Sequence, residues 1–319
     1  MSVSAALPLE PSPARLRNPV LRYVLATRPA FLTITLAGCL LGFATALGGA
    51  QTFNAAGAAA TLLLALLAHA GINVLNDYYD HLNGTDAANS GRIYPYTGGS
   101  RFIQNGVLTP TQTLAYGLLL FALVIAGGLW LIGQSGTGLF WIGLAGLFIG
   151  WAYSAAPLKL NARGLGEGCV ATGFLLVVAG ADFVQRQGFA VLPWLAGLPY
   201  ALLTTNILFI NQFPDREADA LAGKHHWVVR LAPAQAARMY VLIALAAALA
   251  LLAGVVTEAL TPWALLSLAG MLPSVAASKR LQQDCQRPWM LAPAIRLTLL
   301  SAHLHAIMLT LILTMEGWK

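Results

Sequence analysis

Asn73, Asn76, Asp77 and Asp80 recur at three- and four-residue steps, so a helix would stack them on one face. Carboxylates stacked this way repel one another unless a cation lies between them. Hard oxygen ligands suit Mg²⁺, which takes one or two carboxylates and completes its shell with water and substrate phosphate. Further along, Asp215 and Asp219 stand one turn apart, and Asn211 precedes Asp215 by the same four residues that separate Asn76 from Asp80. The two Asn-x-x-x-Asp sets are offset by 135 residues. That is the trace of an internal duplication in which each half presents one ligand set to a shared cavity. Two facing sets suggest two magnesium ions clamping one diphosphate. The bland alternatives are chance acids on a solvated helix end for the first set and loop-capping acids for the second. Pro214 lacks a backbone donor, so a kink or restart of the helix is expected there, opening a polar pocket.

The elements that must position these groups are membrane helices. Of 319 residues, 58% are hydrophobic and only 9% charged, against roughly 25% charged in an ordinary soluble domain. Continuous apolar runs long enough to cross a bilayer lie near 29–50, 56–79, 113–133, 137–156, 167–185, 190–211, 237–257, 260–279 and 295–315. Backbone groups in hydrocarbon must be satisfied within the segment, so these runs read as helices. The expected fold class is all-α: a polytopic bundle of nine transmembrane helices, two four-helix pseudo-repeats plus a ninth. Residues 29–319 form one transmembrane domain, and residues 1–28, with Arg15, Arg17, Arg22 and Arg28, form a retained cytoplasmic lead-in without signal-peptide character.

With nine spans, 16 of the 18 Lys and Arg fall on one side, leaving Arg186 and Lys319 on the other. The positive-inside rule makes the first side cytoplasmic, as in a bacterial inner membrane, and most of the acids gather there too. The net charge of +6 is then topology-setting rather than a nucleic-acid footprint. Cys39, Cys169 and Cys285 form no CxxC pair, which disfavours a disulfide framework or a zinc site. No nucleotide or redox signature and no protein partner is inferred. A transporter is the main non-enzyme alternative, since repeats and intramembrane acids also mark that class; clustering at one face rather than the midplane speaks against it.

The two acidic motifs, Asn76-Asp77-Tyr-Tyr-Asp80 with Asp86, and Asp215-Arg-Glu-Ala-Asp219, resemble those of the UbiA superfamily of intramembrane prenyltransferases. The segment YSAAPLKLNARGLGE from Tyr153 looks like that family's connection between its fourth and fifth spans. GGSRFIQNG from Gly98 and NQFPDREADALAGKHHWVVRLA from Asn211 look like its naphthoate branch, and the likeness covers roughly residues 20–315. The resemblance implies Mg²⁺-dependent transfer of a prenyl chain from a polyprenyl diphosphate to an aromatic acceptor, 1,4-dihydroxy-2-naphthoate in menaquinone biosynthesis. A 4-hydroxybenzoate, homogentisate, quinolone or haem acceptor is the alternative.

It further implies roles for named residues. Asn76, Asp80, Asp215 and Asp219 would hold the metal, with Asp77 and Asp86 assisting. Lys159, Arg163 and Arg101 would meet phosphate oxygens, Arg in bidentate fashion and Lys as a point charge, and Lys224 would bind substrate. Asn73 and Asn211 would bind substrate, and Tyr153 and Tyr78 would face the allyl cation with their rings. The apolar tail would lie between helices and extend into lipid. His225 and His226 are expected as an inert surface pair, with an acid-base role as the sharper reading. Bulky Trp227 is expected either to narrow the acceptor slot or to stack on a flat ring.

Overall fold

A computed structural model describes residues 9–49 and 52–317; Lys319 lies outside them. The fold is all-helical among the described residues. Seven helices are long and apolar enough to cross a membrane: α2 (Pro29–Leu47), α3 (Ala55–Leu82), α5 (Pro110–Ser135), α7 (Gly166–Arg186), α8 (Leu192–Leu221), α10 (Pro233–Val256) and α12 (Ala292–Gly317). The other two expected spans do not form helices of that length. The fourth is a 17-residue apolar helix, α6 (Gly138–Ser154). The eighth starts as a tighter 3₁₀ stretch, Pro262–Met271, and widens into the 13-residue α11 (Leu272–Asp284). Short helices complete the chain: α1 (Pro19–Ala26), α4 (Thr85–Ala88) and α9 (Trp227–Arg230).

The repeat is visible in the element order. A long helix carries each motif at its end, α3 with 28 residues and α8 with 30; each is followed by a four-residue helix and then by a helix that opens on proline, Pro110 or Pro233. Proline suits that first position because its missing donor would be unpaired there anyway. Side-chain caps also fix helix starts. Asn54 accepts from Gly57 N at 2.9 Å to begin α3, and Thr109 with Gln112 forms a reciprocal capping box at α5.

Lipid tails are as apolar as the side chains, so close packing rather than burial from water holds the helices together. Gly42 shows how: α2 lies so close to α7 that a side chain there would collide with the Val178 carbonyl. One core cluster joins α2, α7, α8, α10 and α12 around Leu41, Tyr200, Leu251 and Leu309. A second, around Phe209, Phe213, Tyr240 and Ile295, underpins the end of α8 that carries Asp215 and Asp219. The expected restart at Pro214 does not occur: α8 is continuous with Pro199 and Pro214 inside it. Phe213, directly before Pro214, is buried in the second core cluster.

Candidate active site

The ends of α3 and α8 carry the two motifs to opposite walls of one cavity of about 670 Å³. Asn73, Asn76 and Asp80 line it from α3, Asn211, Gln212, Asp215 and Asp219 from α8, and Asp86, Asn89 and Gly98 from the connection after α3. Tyr153, in the last turn of α6, also faces it. The rest of the wall is apolar and runs between α3, α5, α6 and α7, with Ile72, Phe121, Ile125, Gly128, Gly146 and Leu176 along it. A charged end thus opens onto a lane without polar side chains on the α5 and α6 side.

Lys224 joins the two halves. Its ammonium lies 2.9 Å from Asp80 and 3.1 Å from Asp219 and is 7% exposed. Burial works to lower its pKa, but the charges of Asp80 and Asp219 outweigh that and hold it above the ordinary value. Lys224 therefore stays charged and serves as the cation between carboxylates that would otherwise repel. His226 backs the same arrangement, with Nε2 3.0 Å from Asp219 Oδ2. Asp80 also accepts from Asn76 and Asn83 at 3.2 Å each, and Asn76 reaches Ser154 Oγ at 3.0 Å.

The connection after α3 folds over the motifs and ties them down. Asn89 donates to Asp215 at 2.6 Å and Gly98 N donates to the same carboxylate at 3.2 Å. Gly99 has φ +74°, and a Cβ there would lie 2.6 Å from Asp86 Oδ2, so only glycine lets the strand of chain pass the carboxylates. Asp77 is paired with Arg28 and accepts from Ser100 N at 3.3 Å. Asp86 is buried; loss of hydration first, then the charges of Asp80 and Asp77, push its carboxyl well above the usual range. Crowded carboxylates of this kind take up a cation readily, because each added positive charge relieves their repulsion.

Several residues named from the sequence sit elsewhere. Lys159 is exposed, and Arg163 is exposed with its guanidinium on the Pro157 carbonyl at 2.9 Å, so neither reaches the cavity. Arg101 is buried behind the site, donating to the backbone carbonyl of Asp86 rather than facing the cavity. Tyr78 stacks edge-on against Tyr79, 5.3 Å between centroids, outside the lining. Trp227 is 39% exposed beneath Arg230 and does not narrow the cavity. The histidine pair divides: His225 is exposed, but His226 is buried and faces the site, contrary to the expectation of an inert pair.

Arg28, Asn89 and Gln212 were not singled out for the site by sequence. Arg28 reads as one of four lead-in arginines, although its place directly before the proline that opens α2 marks it as the one at a helix entrance. Asn89 had no spacing signal, because a loop brings it there.

Among the described residues no three His, Cys, Asp or Glu side chains converge into a ready-made metal cluster. The donors nevertheless fit a hard cation that takes few protein ligands. Buried atoms without partners gather on this wall: Arg28 Nε, Asn89 Oδ1, Asn211 Oδ1, Gln212 Oε1 and His226 Nδ1. Left unfilled, each costs about 1–3 kcal/mol; a hydrated cation and phosphate oxygens supply the complementary donors and acceptors.

The chain matches the UbiA prenyltransferase family over residues 31–300. It is 27% identical over 272 residues to the 2-carboxy-1,4-naphthoquinone phytyltransferase of Synechocystis sp., covering 83% of each chain. It is 32% identical over 246 residues to the 1,4-dihydroxy-2-naphthoate octaprenyltransferase of Haemophilus influenzae, covering 73% of this chain and 77% of that one. In fold it is similar to the structure of a UbiA homologue from Archaeoglobus fulgidus bound to DMAPP and Mg²⁺, with a TM-score of 0.57 and 16% identity over 92% of this chain and 99% of the other.

Proposed function

The chain belongs to the UbiA prenyltransferase family and is an integral membrane prenyltransferase, and from that premise we propose that it transfers a polyprenyl chain to 1,4-dihydroxy-2-naphthoate, using Mg²⁺, in menaquinone biosynthesis. The observation that carries the reading is the joining of the two acidic motifs across one cavity, with Lys224 between them and an apolar lane leading away. The polar end suits a diphosphate and the lane suits its isoprenoid tail. We place this end of the bundle on the cytoplasmic side, where the charge census puts it.

Asp80 and Asn76 from one half, with Asp215 and Asp219 from the other, would hold magnesium. The ion's chemistry is to neutralise the diphosphate so that it becomes a competent leaving group. The chain's own groups do the rest. Lys224, already charged and buried beside Asp80 and Asp219, meets phosphate oxygens as a point charge. Arg28, fixed by Asp77, adds a second positive group on the lining. Tyr153 presents its ring to the carbon on which the allyl cation develops, and the connection from Asn89 to Ser100 excludes water that would quench it.

The test is competitive transfer by the purified protein in lipid, with labelled polyprenyl diphosphate and equal 1,4-dihydroxy-2-naphthoate and 4-hydroxybenzoate. The expected outcome is a prenylated naphthalenediol, the new C–C bond replacing a ring C–H or C–CO₂⁻ bond with loss of a proton or CO₂, together with diphosphate release, all lost on chelation and restored by Mg²⁺. Preference for the benzoate would overturn the acceptor while leaving the metal chemistry intact.

A further inference from the structure

We propose that His69 grips the aromatic acceptor, its Nε2 bonding a ring hydroxyl in a slot walled by Phe31 and Phe174. The inference rests on the functional reading above and adds where in the cavity the acceptor lies. His69 lines the cavity from α3, seven residues before Asn76, which is about 10 Å along the helix axis from the metal-binding turn. Its surroundings at that depth are chiefly apolar, and a polar ring there is costly unless its nitrogens are bonded.

One nitrogen is accounted for. Nδ1 lies 2.7 Å from Thr35 Oγ1 on the neighbouring helix α2, which fixes the ring's plane. Nε2 makes no hydrogen bond among the described residues, and the side chain lines the cavity. If Thr35 donates to Nδ1, Nε2 carries the proton and donates; if Nδ1 donates to Thr35, Nε2 accepts. A hydroxyl matches either tautomer, because it is both donor and acceptor. A prenyl tail has no such group to offer at this depth, and a hydroxy-aromatic does.

The shape agrees. Phe174 meets the imidazole edge-on, with centroids 5.7 Å apart, and Phe31 lines the same side from α2. Phe31 and Thr35 come from α2, whereas α5 and α6 contribute the apolar wall that suits the tail. Arg28 and Phe31 also line a neighbouring cavity of about 310 Å³ beneath the lead-in and the connection after α3.

His69→Phe keeps a ring and removes the nitrogens. It is expected to raise the KM for 1,4-dihydroxy-2-naphthoate about tenfold while leaving the Kd for the polyprenyl diphosphate within about twofold. Wild type should discriminate about tenfold against one of the two mono-O-methyl ethers of the acceptor, and His69→Phe should not. Thr35→Val, which frees the ring without removing it, should raise the acceptor KM in the same direction by less. Where His69→Phe does not accumulate, His69→Gln supplies an amide near the Nε2 position and should retain part of the discrimination. A His69→Phe enzyme that keeps the wild-type acceptor KM or ether discrimination, or that loses donor affinity in parallel, overturns the assignment. A wild type that prenylates no naphthoate defeats the functional reading itself, an outcome visible before any variant is compared.

Discussion

Lys224 holds one carboxylate from each half of the bundle. Replacing it with Met keeps the stem and removes the charge, leaving Asp80 and Asp219 buried and mutually repelling. Breaking a buried pair this way costs about 3–5 kcal/mol. Lys224→Met should therefore lower the melting temperature of the metal-free protein, and Mg²⁺ should raise it by more than in wild type, since the ion then supplies the missing charge. Equal magnesium shifts in a thermal melt of the two proteins would show that Lys224 and the ion do not share these carboxylates. Asp80→Ala and Asp215→Ala bear on the metal directly. Each should cut kcat/KM for transfer about 100-fold or more with the protein still folded in the membrane. An accumulating Asp80→Ala protein with near-wild-type turnover would sink the two-site arrangement.

At the scale of elements, the connection from Asn83 to Thr109 is what turns two helix ends into a closed site. It supplies Asn89 and Gly98 to Asp215 and Ser100 to Asp77, and it can pass the carboxylates only because Gly99 takes a positive φ and carries no side chain. Gly99→Ala introduces both backbone strain and a Cβ against Asp86. The expected result is a loss of donor binding of about tenfold or more with little change in expression, because the helix packing lies elsewhere. Isothermal titration of a non-hydrolysable prenyl diphosphate analogue reads this out. Gly42 works at the same scale for a different purpose, holding α2 against α7; Gly42→Leu should impair accumulation in the membrane before it touches catalysis.

For the whole molecule, the question is which end of the bundle faces which compartment. The motif end carries nearly all the basic residues, and the opposite end carries Arg186, bound to Asp182 at 2.8 Å and to the Thr45 carbonyl at 2.6 Å. A cysteine at Gln187, which is exposed, should react with an impermeant maleimide added outside intact cells, and one at Asn105 should not. Gln185 does not serve for this experiment, because it is buried and donates to the Asn54 carbonyl at 3.1 Å. Labelling at Asn105 from outside would invert the orientation and place the site on the far face.

Composition and periodicity by themselves determined that the chain is a helical membrane bundle, because hydrocarbon permits so few backbone solutions. The repeated Asn-x-x-x-Asp spacing determined which helix faces carry the ligand sets, because a helix converts a four-residue step into a shared face. Those readings depend on local geometry alone. What only the tertiary structure decided depends on which distant groups meet. A charge next to a span reads the same in sequence whether it sets topology or enters the site: Arg28 pairs with Asp77 and Lys224 bridges Asp80 and Asp219, whereas Lys159 and Arg163 stay at the surface. His226 was indistinguishable from His225 until the turn before α9 buried one and exposed the other. Pro214 carried a local preference for a restart, and α8 runs through it next to a Phe213 buried in the second core cluster. Long-range contacts select among locally equivalent residues, and a linear sequence holds no distance between them.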